Sequence, residues 1–141
     1  MYYVNEEQIQ IRLDTIPYIV QAASQLMEQW EDHNPVHHLA QERVLHLAIE
    51  IVTDVGSSLI DGFLMRDASS YEDIIEIISG EQVLHGQLAD RLKEWVAWRK
   101  PLVQDYYKLE RKGCHPFLNQ IPESLPEFAE QVKAYISSQI Y

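Results

Sequence analysis

Between Leu39 and Ile60, Val44, Leu45, Ala48, Ile51, Val52, Val55 and Leu59 recur every three or four positions. That is the repeat of one face of an α-helix, not the alternation of a strand. Arg43, His46, Glu50, Asp54, Ser57 and Asp61 fall on the opposite side. A helix this long with a continuous apolar stripe must bury it against other elements, and the rest of the chain supplies helices for the purpose.

Asn5 followed three residues later by Gln8 predicts a helix start, with Glu6 and Glu7 where the helix dipole favours negative charge. The phase then runs through Ile9, Leu13, Ile16, Val20, Ala23, Met27 and Trp30, and it survives Pro17, which predicts a kink rather than an end. Glu31 to His38, with Asn34-Pro35, reads as a loop. Gly62 closes the long helix, and Phe63 to Ser69 is a connection. Ser70 with Asp73 caps a short helix through Ile74, Ile75, Ile77 and Ile78, stopped at Gly80. Those isoleucines also suit a strand, but the cap and the lack of a partner strand decide for helix. From about Val83 a further helix carries Leu84, Leu88, Leu92, Trp95 and Val96 inward; Trp95 and Trp98, three apart, could stack, though packing is the favoured role of each. A last helix starts at the capping box of Ser124 and Glu127 with the stripe Leu125, Phe128, Val132, Tyr135 and Ile136. The expected fold is all-α, an antiparallel up-and-down bundle of about five helices, with residues 1–141 as a single helical domain.

Composition narrows the function. No apolar run reaches the roughly 18 residues of a membrane span, and acidic residues stand where a signal peptide would be basic, so a cytoplasmic protein with no membrane partner is expected. The single cysteine, Cys114, excludes an internal disulfide and, with one neighbouring His115, makes a poor metal site; it reads as an ordinary loop thiol. His33, His37 and His38 lack the companions of a metal site and read as surface residues. A net charge of -11 excludes broad, nonspecific nucleic-acid binding, so any RNA contact must be local, around Arg91, Arg99, Lys100, Lys108, Arg111 and Lys112. The polar side of the long helix, with His46 and its acids, is readable as a His-carboxylate site. A solvated or dimer-facing strip flanked by Leu47, Ile49 and Ile60 is the favoured reading.

Chemistry concentrates from Trp98 to Tyr107, where a guanidinium (Arg99), an amide (Gln104) and two phenols (Tyr106, Tyr107) fall around Pro101. At about 100° per residue, Arg99 and Tyr106 would share a face of an unbroken helix while Gln104 pointed away. Pro101 clashes with the preceding turn and disfavours helical geometry at Lys100, which predicts a break that could bring the three together. Alternatively, Arg99 pairs with an acid such as Asp105 or Glu94 and the tyrosines simply pack.

The spacing of Arg99, Gln104 and Tyr106 resembles the Arg-x4-His-x-Tyr motif of the HepT-like toxins of the HEPN superfamily, with glutamine at the histidine position. The stretch from Leu47 to Tyr71, with its run Asp61-Gly62-Phe63-Leu64-Met65-Arg66-Asp67, resembles the YutE-like subgroup, and the likeness extends over nearly the whole chain. It implies a ribonuclease fold that needs no metal or other cofactor and acts as a homodimer with two motifs facing across a cleft. In it, the arginine (Arg99) stabilises phosphate charge and the histidine, replaced here by Gln104, takes the ribose 2′-hydroxyl proton. It also implies a partner, an MntA-type nucleotidyltransferase antitoxin, which adds AMP to the motif tyrosine, Tyr106. A carboxamide has no proton to exchange near neutral pH, and losing a general base removes about a hundredfold to ten-thousandfold in rate. The expectation is therefore a HepT-like toxin with weak RNA cleavage, or one using another base such as His46. The alternative is a non-catalytic dimeric interaction protein bound or modified at Tyr106.

Overall fold

A computed structural model describes residues 2–140 of the chain. The apolar stripe of the long helix is the reason for the architecture: helix α3, Pro35–Gly62, contacts every other α-helix of the bundle. Around it lie α1 (Glu6–Leu13), α2 (Ile16–Gln29), α4 (Tyr71–Gly80), α5 (Leu88–Ala97), α6 (Arg99–Val103) and α7 (Ile121–Ile140). Single 3₁₀ turns occupy Tyr106–Lys108 and Pro116–Leu118, and no strand occurs among the described residues. The fold is the helical bundle expected. Among the described residues its five segments appear as seven α-helices, because two of them are divided.

Both divisions have the same cause. A proline ring clashes with the carbonyl four residues earlier and has no N–H to bond it. Four residues before Pro17 is Leu13, where α1 stops; four before Pro101 is Ala97, where α5 stops. The expected kink at Pro17 is thus a turn at Asp14–Thr15, with Pro17 in the first turn of α2, where no N–H is needed. Pro126 lies inside α7 without breaking it.

The caps follow the sequence in two places. Asn5 Oδ1 accepts from the Gln8 amide (3.2 Å) and Ser70 Oγ from the Asp73 amide (3.0 Å). Elsewhere they differ. Asn34 caps α3 by accepting from the Val36 amide (2.9 Å), with Pro35 as the first helical residue, so His37 and His38 are helical rather than looped. Of the three histidines expected at the surface, only His33 is exposed; His38 is buried, its Nε2 2.6 Å from the Asp32 carbonyl and its ring edge-on to Trp30. The expected cap at Ser124 is absent: α7 begins at Ile121, and buried Ser124 accepts from Arg91 (2.9 Å). The fifth helix likewise begins at Leu88, not Val83, although Val83 and Leu84 are buried ahead of it.

The core joins Val44, Leu45, Ala48, Val52, Val55 and Leu59 of α3 to Ile9, Ala23, Ile75, Leu92, Trp95 and Phe128. Ile49 and Ile60 belong to this core and not to a partner-facing strip. Neighbouring segments approach α3 closely at its glycines. A Cβ on Gly56 would stand 2.5 Å from Ile74 Cγ2, and one on Gly62 2.9 Å from Val4 Cα. Gly62 thus lets the N-terminal segment lie against the end of α3, where the Tyr3 amide donates to the Gly62 carbonyl (3.2 Å).

Candidate active site

The break ahead of Pro101 leaves Arg99 at the first position of α6, directed back at α3. Its Nε donates to Glu50 Oε1 (3.1 Å), and the guanidinium carbon lies 3.9 Å from the centroid of the Tyr71 ring, at the start of α4. The arginine is held twice, by an ion pair at its inner nitrogen and by a cation–π contact on its face. Its two terminal nitrogens have no hydrogen-bond partner among the described residues. An outer pair of guanidinium nitrogens left open in this way has the geometry to grip two oxygens of one phosphate.

Glu50 has a second contact. Nε2 of His46, one turn earlier on α3, stands 3.3 Å from the same Oε1, and His46 Nδ1 is 3.3 Å from an outer nitrogen of exposed Arg43. Part of the polar side of α3 is thus joined to Arg99: Arg43, His46, Glu50 and Arg99 form one continuous chain of contacts, while Asp54 pairs with Arg12. Arg99 pairs with neither Asp105 nor Glu94. Glu50 and Tyr71 are the residues that sequence reasoning did not link to the motif.

The other motif residues sit differently. The chain leaves α6 through Gln104, which is exposed, and reaches the short turn holding Tyr106, which is 58% exposed and edge-on to Tyr107. Neither Gln104 nor Tyr106 shares a hydrogen bond or ring contact with Arg99 among the described residues. The two tryptophans also separate: Trp95 stacks on Phe117 (5.6 Å) and Trp98 meets His115 edge-on (4.4 Å).

The Ribonuclease HepT-like family model matches residues 13–134. The chain belongs to that family. The HepT-like chain is 30% identical over 140 residues to a Bacillus subtilis (strain 168) protein named "Putative RNase YutE", covering 99% of this chain and 95% of that one. A solved structure of YutE from Bacillus subtilis, described as a cytosolic protein of unknown function, superposes with a TM-score of 0.87 at 30% identity, covering 99% of this chain and 96% of that one. The tri-AMPylated Shewanella oneidensis HEPN toxin, solved in complex with its MNT antitoxin, has the same fold, with a TM-score of 0.72 at 16% identity over 92% of this chain and 96% of that one. Among the described residues no helix is long and apolar enough to cross a membrane.

Beside the motif segment, the HepT-like chain has a hollow of about 410 Å³ between α3 and the stretch after Pro101, with Leu45, Trp98, Pro101 and Leu102 on its walls. Arg111 braces its rim through two bonds to Glu42 (2.7 and 3.0 Å). Cys114 lies nearby, half-buried, and burial followed by the Asp32 charge pushes its thiol upward, away from reactivity. No group of histidine, cysteine and carboxylate side chains suited to a metal occurs among the described residues.

His115, also on the wall of the hollow, accepts from the Phe117 amide (3.3 Å) and packs against Trp98 and Phe117. Burial lowers its pKa from the ordinary 6.5. The unfolded chain therefore takes up a proton at a pH where the folded chain resists it, and stability falls as pH drops below about 6.5. Thermal unfolding is expected to shift downward between about pH 7.5 and 5.5, and less steeply in His115→Asn, which keeps an acceptor for the Phe117 amide and does not titrate. Equal slopes for the two proteins would contradict this role.

Proposed function

We propose that the chain is the toxin component of a HepT/MntA-type toxin–antitoxin pair, a cytoplasmic homodimer in which residues 1–141 act as one HepT-like domain. Its RNA chemistry centres on Arg99. The observation that carries the reading is the way Arg99 is held, its inner nitrogen on Glu50 and its face on Tyr71, leaving its outer fork for a phosphodiester. Family membership supports ribonuclease as the reaction class; that the reaction needs no metal, and that Gln104 and Tyr106 stand at the motif's histidine and tyrosine positions, is part of the proposal. Gln104, exposed and without a titratable proton, orients rather than deprotonates a ribose hydroxyl. The test is an RNA-cleavage assay at neutral pH on the purified chain and on Arg99→Ala; indistinguishable traces remove the enzyme reading.

One observation favours a second reading, a dimeric interaction protein marked at Tyr106. The Tyr106 phenol projects from a short turn and is 58% exposed, open to an enzyme that must reach it. The MNT antitoxin of the Shewanella oneidensis complex indicates the kind of partner. Incubation with a cognate nucleotidyltransferase and ATP is expected to add AMP to the wild-type chain, seen as intact mass, and one AMP fewer to Tyr106→Phe. An unchanged wild-type mass, or equal addition to both proteins, with the exposed Tyr107 as acceptor, counts against Tyr106.

A further inference from the structure

The contact chain along α3 supplies what Gln104 cannot. Arg43 can only donate, so where its outer nitrogen meets His46 Nδ1 (3.3 Å) that nitrogen presents its lone pair; in the neutral ring the proton then belongs to Nε2, which stands 3.3 Å from Glu50 Oε1. A carboxylate behind one imidazole nitrogen fixes the tautomer, orients the ring and stabilises the cation formed when the other nitrogen takes a proton. Here the carboxylate is the same one that holds Arg99, which places the imidazole and the phosphate-binding guanidinium on a single oxygen. Arg43 is exposed, so its long side chain can leave Nδ1 when a phosphate offers it a better partner.

We infer that His46 is the general base of this chain, with Glu50 as its positioning residue and Arg43 as a second phosphate contact; this rests on the ribonuclease reading above. His46 Nδ1 takes the proton of a ribose 2′-hydroxyl, and the 2′-oxygen forms a bond to the adjacent phosphorus. The bond from phosphorus to the 5′-oxygen breaks, and that oxygen takes a proton from water, leaving a 2′,3′-cyclic phosphate and a 5′-hydroxyl; the hydroxide so formed takes the proton back from His46. Arg99 and Arg43 hold the non-bridging oxygens. No metal, oxidant or reductant is consumed. The charged groups that meet the imidazole are Arg43 and Glu50, both on α3; Arg99 from α6 is linked to it through Glu50, and the Tyr71 phenol from α4 through Arg99. Glu42, one turn before His46, is committed to Arg111.

The experiment measures cleavage of a single-stranded RNA between about pH 5 and 8 by the wild-type chain, His46→Ala, Glu50→Gln and Arg99→Ala, with helical content checked for each. The wild-type rate is expected to rise with pH, as a reaction that needs its base unprotonated requires. His46→Ala is expected to lose about a hundredfold or more, to lose that rise, and to regain part of the rate with added imidazole. Glu50→Gln is expected to lower the rate at every pH while keeping the rise, because the base is still present but has lost the carboxylate that orients it. If His46→Ala unfolds, His46→Asn takes its place. Full activity in the His46 variant alongside an inactive Arg99→Ala overturns the base assignment and leaves the ribonuclease reading standing. Equal rates for wild type and Arg99→Ala, or no cleavage by the wild type, overturn both.

Discussion

Arg99→Ala is expected to lower RNA cleavage at neutral pH by about a hundredfold to a thousandfold, the usual loss when one preorganised donor to a developing negative charge is removed. The arginine is already in place before substrate arrives: Glu50 fixes its inner nitrogen and Tyr71 its plane. Little ordering remains to be done at the moment of reaction. Arg99→Lys should recover only a small part of the rate, because an ammonium cannot grip two phosphate oxygens in one plane. Helical content should not change, since Arg99 is only partly buried and α6 touches α3 through other residues as well. A loss of less than about threefold in cleavage would show that this guanidinium does not meet the phosphate.

The largest stability effect is expected at Trp95. Its side chain is 0% exposed, stacks on Phe117 and donates from Nε1 to Gln120 Oε1 (2.7 Å). It thus ties α5 to the Pro116–Leu118 turn and to the residue just ahead of α7. Trp95→Ala should cost about 3–5 kcal/mol in lost packing and cavity formation, with the stranded Gln120 amide adding to the loss. For a chain of this length that lowers the unfolding midpoint by about 10 °C or more. Trp98→Ala, at a position 39% exposed, should cost far less and serves as the comparison. Equal midpoints for the two variants would contradict the placement of Trp95.

How much of this was legible in the sequence differs by element. The α3 stripe was readable because periodicity is local, and every residue named in it is buried. The cap at Ser70 was readable for the same reason: its partner Asp73 is three residues away. The prolines were only half readable. Continuity of the apolar phase across Pro17 suggested a kink, yet the clash falls four residues upstream and divides the helix there. Asn34-Pro35 reads as a turn dipeptide but also as a cap followed by a first helical residue. The second sense prevails, carrying His38 into the core.

The site was the least legible part. Arg99 was singled out by its motif, but its partner Glu50 lies 49 residues earlier on the polar side of α3, and no local pattern links the two. Tyr71 gave no signal beyond being aromatic and first in a short helix. His46 was noticed as an alternative base without anything to place it; the shared oxygen of Glu50 is what joins it to Arg99. Ser124 misled because a capping-box spacing recurs inside α7, where its hydroxyl is turned inward to Arg91.

The most direct test of the central claim, that a buttressed arginine on a divided helix serves metal-independent RNA cleavage, is to read the ends of the product. RNA incubated with the purified chain in excess chelator should yield fragments whose masses carry a 2′,3′-cyclic phosphate on one side of each cut and a 5′-hydroxyl on the other. Intact RNA, or fragments bearing 5′-phosphates, would contradict it.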